Sequence, residues 1–352
     1  MSDLDAWPNA KIFVDSGLER CMLSSANPLG VSIAQYLGPA PHGLRGIVSN
    51  QAVRDLFHSI NPLGRAAQFS NVWVDTAGCI VDRRSCRGVR NGGCFDDVTK
   101  ATCAGAVPWV PGQSWRRHSH VVSIATDVQM QHGSNVWHAV EAIVGLSNVD
   151  LHDTTWLLHV SVVSPVMRYL VACVGLLDAR LITGVVFAEK LTVPEVARCC
   201  VPSIRQISWL RPRVRDHTQT PDSVLAVRRS TRTVSGFSMD GVVAAVGGWA
   251  SALNYRVFVH DDRKLRPIAV QWKEFSRARI VIGPCGAASA MLIASPTGAT
   301  YVEFVTCSVQ TAPTYTMYMR IANMLGLDYY GVSFRNTRSV NLSRVLGILH
   351  KL

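Results

Sequence analysis

The sequence lacks any run of about 20 consecutive apolar residues, the length a membrane-crossing helix needs. Its greasiest stretches, Tyr169–Leu177 and Leu181–Ala188, are short and are separated by Asp178 and Arg180. The first residues, MSDLDAWPNAK, have neither the basic nor the apolar region of a secretory signal. The expectation is a chain with no transmembrane segment, in the lumen of the ER or Golgi if an N-terminal anchor was removed and cytoplasmic otherwise. No G-X-Y or heptad period runs through the chain, which excludes collagen-like and coiled-coil architectures. Charged residues are sparse, 17% against 48% apolar, so the chain can bury a full core. Its 352 residues make about two domains on a prior of ~100–200 residues each. Acidic residues are the scarcer sign, 24 against 35 basic, for a net charge of +11. That excess favours an anionic partner: nucleic acid, an anionic membrane surface, or a phosphate-bearing small molecule. The arginines are spread over several segments and no RNA- or DNA-binding module is recognisable, so no specific nucleic-acid partner is expected.

Paired metal motifs are also missing. Of ten cysteines, Cys79, Cys86, Cys94 and Cys103 share one polar stretch, but their spacings of seven, eight and nine make no C-x-x-C pair. Two readings stay open there: a disulfide-stapled loop, which implies an oxidising compartment, or free thiols. No D-x-D pair stands beside a strand end; Asp261-Asp262 is adjacent and reads as a turn.

What is present is a change of pattern along the chain. Residues 1–200 read as a mixed, loop-rich N-terminal domain. Strands are expected at Phe69–Asp75, Val121–Thr126, Trp156–Val163 and Leu181–Phe187, and helices at Asn135–Leu146 and Pro165–Leu176. Residues 201–222, with three prolines and four arginines, read as a basic connection. From Ser223 the alternation is clean: strands at Ser223–Val227, Tyr255–His260, Arg279–Ile282, Thr300–Val305 and Tyr329–Val332. Helices fall between them at Met239–Leu253, Pro267–Arg277, Ala287–Ile293 and Tyr315–Leu325. Strand–helix alternation predicts an α/β domain over 223–335 with a parallel, doubly wound sheet. Residues 336–352 add a C-terminal helix packing back across the domains.

Three local features could carry chemistry. In Ala278–Ala290 an apolar strand runs into Gly283-Pro284-Cys285-Gly286 and then into Ala287 and Ala288. Small residues there admit close approach of a phosphate, or meet the backbone needs of a tight turn. In VRRSTRTVS, Arg228, Ser230 and Arg232 follow a strand, and one helical turn would aim both guanidinium groups at a diphosphate. In NVWHAVEAIVG, Asn135, His138 and Glu141 share a helical face, and a His beside a carboxylate can act as a general base.

In this order the three features resemble glycosyltransferase family 61, plant xylosyl- and arabinosyltransferases and animal O-GlcNAc and O-mannose GlcNAc-transferases. The family's N-x-x-H is matched by Asn135 and His138, its arginine pair by Arg228 and Arg232, and its glutamine by Gln271. Its A-x-I-x-x-G-x-H-G-A is matched by Ala278, Ile280, Gly283, Gly286 and Ala287, and its P-x-G-x-x-x-x-E by Pro296, Gly298 and Glu303. The likeness spans roughly residues 69–335. It implies a GT-B arrangement, two Rossmann-like domains facing a cleft, that transfers sugar from a UDP-sugar to a glycan or glycoprotein hydroxyl with inversion and no metal. It also implies no cofactor beyond the nucleotide-sugar donor. Donor-binding residues would be Arg228, Ser230, Arg232, Gln271, Gly283, Cys285, Gly286, Ala287, Ala288 and Glu303. Asn135 would lie on the acceptor side, with His138 or Glu141 as the base. Two positions depart from the pattern. Cys285 replaces the motif histidine, and Ala142 stands where an acidic residue is usual, with Glu141 one position early and so rotated by about 100°. These departures motivate the alternative of a catalytically inactive binding protein that keeps the fold, and the net charge motivates a lesser one, a basic nucleic-acid-binding protein.

Overall fold

The computed structural model describes residues 12–15, 37–39, 44–47, 66–82, 88–90, 116–126, 135–194, 204–229, 239–306, 317–334 and 342–352. The chain divides into two compact units, Met1–Ile60 with Arg215–Leu352, and Asn61–Val214. In this division the described strands before residue 61 belong with the C-terminal part of the chain. Strand pairing explains it. Strand β1 (Ile12–Asp15) runs parallel to the last strand of the chain, and Ile12 is opposite Tyr329. Outside β1 lie β2 (Leu37–Pro39) and β3 (Leu44–Ile47), with β3 antiparallel to β1 and β2 antiparallel to β3.

The second unit is a mixed sheet. It contains β4 (Ala66–Val74), β5 (Cys79–Asp82), β6 (Gly88–Arg90), β7 (Arg116–Ser123), β8 (Leu157–His159), β9 (Leu181–Ile182) and β10 (Val186–Pro194). The spatial order is β6-β5-β4-β10-β7-β8-β9, antiparallel from β6 to β10 and parallel from β10 to β9. The β4–β5 hairpin is set by Asp75, whose carboxylate accepts from the N–H groups of Ala77 (2.9 Å) and Cys79 (2.8 Å). Its helices are α1 (Val136–Ile143), α2 (Pro165–Cys173) and α3 (Ile204–Val214). Ser164 caps α2 and Pro165 takes the first helical position, where its missing N–H costs nothing. The expected strand over 181–187 is two strands, because Gly184 turns the chain with φ +97. The expected loose connection after residue 200 contains α3 instead. Its Ile207, Leu210 and Val214 form a buried stripe that outweighs Pro212 near its end.

The first unit resumes with β11 (Ser223–Arg228), α4 (Asp240–Ala252), β12 (Arg256–Asp261), α5 (Ile268–Arg277), β13 (Ala278–Pro284), a 3-10 helix (Ala287–Ala294), β14 (Thr300–Thr306), α6 (Met317–Met324), β15 (Asp328–Phe334) and α7 (Leu342–Leu349). The sheet order is β12-β11-β13-β14-β15-β1-β3-β2, and every neighbour from β12 to β1 is parallel. This is the α/β architecture the alternation predicts. On one face Val224, Ala226, Ile280, Ile282, Val302 and Phe304 pack with Val242, Val246 and Trp249 of α4 and with Val345, Ile348 and Leu349 of α7. Each such aliphatic side chain contributes about 1.5–3 kcal/mol when buried. The C-terminal helix thus belongs to this unit's own core. The 3-10 helix packs against α5 and α6, with α5 against β11 and β13 and α6 against β15. Among the described residues, no helix is long and apolar enough to cross a membrane.

Candidate functional site

Within the first unit, β12-β11-β13-β14-β15 has the spatial order 2-1-3-4-5. Connections leave β11 in one direction along the sheet and β13 in the other, so the strand order reverses between these two neighbours. In doubly wound sheets, ligands bind outside the carboxyl ends of the strands at that point. There β11 ends at Arg228, followed by Arg229, and β13 ends at Pro284, followed by Cys285 and Gly286.

The glycines of this turn have different physical reasons. A Cβ on Gly283 would fall 2.6 Å from Val227 Cβ and 2.9 Å from the Val227 carbonyl oxygen, so Gly283 is required by the approach of two strands. Gly286 has φ 173, an extended conformation open to any residue. A Cβ there would instead lie 2.9 Å from Nη1 of Arg229. That guanidinium donates from Nη1 to the carbonyl of Cys285 at 2.6 Å and ties the ends of β11 and β13 together. The turn is also held by Cys285 N–H to the Phe304 carbonyl (2.9 Å) and Ser289 N–H to the Gly286 carbonyl (2.9 Å). Cys285, Gly286, Ala287 and Ala288 are half-buried and form its open rim.

Arg228 and Arg229 differ in partners. Arg228 sits opposite Asp261 in the β11–β12 register, reaches it at 3.7 Å, and pairs with Asp240 as well. Arg263 and then Arg228 hold the Asp261 carboxyl down to about 2. Asp261 opens a turn, accepting from the Arg263 N–H at 3.0 Å, as the adjacent Asp261-Asp262 pair suggests. Arg229 has no carboxylate partner among the described residues. Ser230 and Arg232 lie outside the described residues.

Glu303 is beneath the turn rather than on its rim. It pairs with Gly283 across β13 and β14 and is fully buried. One oxygen accepts from the Tyr329 hydroxyl at 2.7 Å and the other makes no hydrogen bond of ordinary geometry, while the Cys285 thiol and Tyr301 hydroxyl help to favour the carboxylate. Tyr301 in turn shares a 2.8 Å bond with Ser289. Burial pushes the Glu303 carboxyl up to about 7. Gln271 is also buried and donates its amide to the Arg266 carbonyl at 2.6 Å, bracing the entry to α5.

In the second unit, His138 and Glu141 do come together, Nδ1 to Oε2 at 2.8 Å, one turn apart on α1. Asn135 is the N-cap of that helix and accepts from the Trp137 N–H at 2.9 Å. Ala142 is buried in the core. Cys79 is disulfide-bonded and so is not a free thiol. Cys86, Cys94 and Cys103 lie outside the described residues. Cys285 and Cys173 carry free thiols. No group of three or more His, Cys, Asp or Glu that could hold a metal occurs among the described residues.

Four polar groups at the sheet edge escape motif reading: Arg229, Ser289, Tyr301 and Tyr329. Strand alternation is the signal for Tyr301, because residues two apart on β14 share a face with Glu303. Nothing local marks Arg229, whose distinction is that no carboxylate among the described residues pairs with it. No protein-family model matches the chain, and no curated protein matches it.

Proposed function

We propose that the protein is a nucleotide-sugar-dependent glycosyltransferase that transfers a sugar from a UDP-sugar to a hydroxyl of a glycan or glycoprotein. The observation that carries this reading is the order reversal between β11 and β13, where two arginines and a half-open glycine turn follow adjacent strand ends. The GT-B arrangement, with the first unit on the donor side and the second on the acceptor side, is part of the proposal. So are inversion and independence of metal, which the family resemblance implies. In that chemistry the acceptor oxygen attacks the anomeric carbon as its proton passes to a base. The bond to the diphosphate breaks, and its electron pair leaves with UDP. His138 would be the base: with Nδ1–H donated to Glu141, Nε2 carries the lone pair that takes the proton. Cationic groups at the turn would stabilise charge as it develops on the leaving diphosphate.

The alternative, an inactive binding protein with the same pocket, is motivated by Cys285 in place of the motif histidine. UDP release across a panel of UDP-sugars and hydroxyl acceptors separates the two. Turnover is expected, with His138→Ala lowering it by roughly 10²–10⁴-fold while UDP still binds. UDP binding without turnover on any acceptor would favour the silent protein. Absence of UDP affinity would overturn both.

A further inference from the structure

Arg228 and Arg229 are consecutive, yet the fold uses them differently. Arg228 ends β11, faces Asp261 in register, and is paired with both Asp240 and Asp261. An anion reaching Arg228 meets two carboxylates beside it, so much of the attraction is already cancelled. Arg229 spends one N–H on the neutral carbonyl of Cys285 and keeps its positive charge uncompensated among the described residues. A guanidinium carries five N–H donors, so most of that fork is not used by this one bond.

The missing side chain of Gly286 belongs to the same arrangement. Its backbone is extended and needs no glycine, and a Cβ would press on Nη1, Cζ and Nε of Arg229 at 2.9, 3.2 and 3.4 Å. The guanidinium therefore sits against the turn in space that one methyl group on Gly286 would occupy. It is held at one corner by the Cys285 carbonyl, beside the half-open rim of Cys285 to Ala288.

We infer that Arg229, seated on Gly286, is the residue that receives the diphosphate of the nucleotide, while Arg228 serves mainly to join β11 to β12 and α4. The inference rests on the donor-site reading above and replaces its principal arginine with the neighbouring one. A planar fork fixed at one corner offers paired N–H donors to phosphate oxygens without first breaking an ion pair.

The test is calorimetric titration of UDP into the full chain. Wild type should bind; Arg229→Gln, which keeps a donor for the Cys285 carbonyl and loses the charge, should bind at least tenfold more weakly with an unchanged melting temperature. Arg229→Lys should recover part of that loss. Arg228→Gln should lower the melting temperature and weaken UDP by less than Arg229→Gln does. Gly286→Ala, which displaces only the flexible end of Arg229, should weaken UDP, and adding it to Arg229→Gln should cost little more. If wild type and Arg229→Gln bind UDP alike, or if folded Arg228→Gln loses more, the inference fails while the donor site stands. Additive losses for Gly286→Ala and Arg229→Gln would overturn the seat. If wild type has no affinity for UDP, the donor-site reading fails first and takes the inference with it.

Discussion

Glu303 in the first unit and His159 in the second are both completely buried, and burial moves them in opposite directions. Glu303 keeps its proton up to about pH 7, with Tyr329 donating to it at 2.7 Å. His159 refuses a proton down to about pH 4. Its Nε2 lies 2.9 Å from the Gly184 carbonyl, which can only accept, so Nε2 carries the hydrogen and Nδ1 accepts from Ser123 Oγ at 2.9 Å. Both groups thus favour a neutral form, one protonated and one deprotonated. They differ in setting. His159 is wholly spent on neighbours within its sheet, Ser123 of β7 and the loop before β10. Glu303 leaves one oxygen without an ordinary hydrogen bond, under a turn whose rim is half-open. A buried polar group whose partners are all in place stabilises a fold, whereas one with an oxygen left over costs the fold part of that gain.

The largest expected effect is an opposed pH dependence. An unfolded carboxyl titrates near 4.3 and the folded Glu303 near 7, so unfolding releases a proton between them. The first unit should then lose about 3 kcal/mol as pH rises from about 4.5 to 7. For His159 the unfolded imidazole titrates near 6.5 and the folded one near 4, so the second unit should lose about 3 kcal/mol as pH falls across that window. Amide hydrogen exchange, corrected for its intrinsic pH dependence, should show β13 and β14 better protected at pH 5 than at pH 7, and β7 and β8 the reverse. Movement of both units in the same direction would break the comparison. Glu303→Gln sharpens it, because the first unit should then show no such titration.

Tyr329→Phe is expected to cost about 2 kcal/mol, since it removes the hydroxyl that donates to a fully buried carboxyl oxygen. It should also raise the Glu303 titration further, because the lost bond favours the carboxylate. Equilibrium denaturation of the variant at pH 6 checks the first point, and its pH dependence the second. The smallest effect is Ser123→Ala, about 1 kcal/mol on the second unit, from one neutral hydrogen bond to His159. A loss confined to the second unit in hydrogen exchange is the expected signature.

The strands and helices after residue 223 were legible because each buried parallel strand is a short apolar run bounded by an amphipathic helix. The stripe of Ile207, Leu210 and Val214 was present in the sequence too, but Pro212 and the arginines around it obscured the period. β1, β2 and β3 were not legible at all. Sequences such as IFVD and LRGI are too short to show alternation, and what makes them strands is pairing with β15 and with each other. The candidate site divided in the same way. The glycine turn and the His138–Glu141 pair could be read from spacing. The N-x-x-H spacing also places Asn135 one turn before His138, where its side chain caps the helix. The difference between Arg228 and Arg229 leaves no trace in the sequence, because neutralisation of Arg228 by Asp240 and Asp261 is a tertiary fact that no spacing encodes.

The parallel pairing of β1 with β15 also governs when each unit can form during synthesis. β1 emerges from the ribosome well before β15, its parallel neighbour. The second unit is one uninterrupted segment and can fold while translation continues, before the first unit's sheet is complete. Until β15 arrives, the edge to which β1 will attach is absent, and β1 to β3 must wait or be shielded. A nascent chain released before β15 should therefore retain a protease-resistant second unit and a cleavable first one.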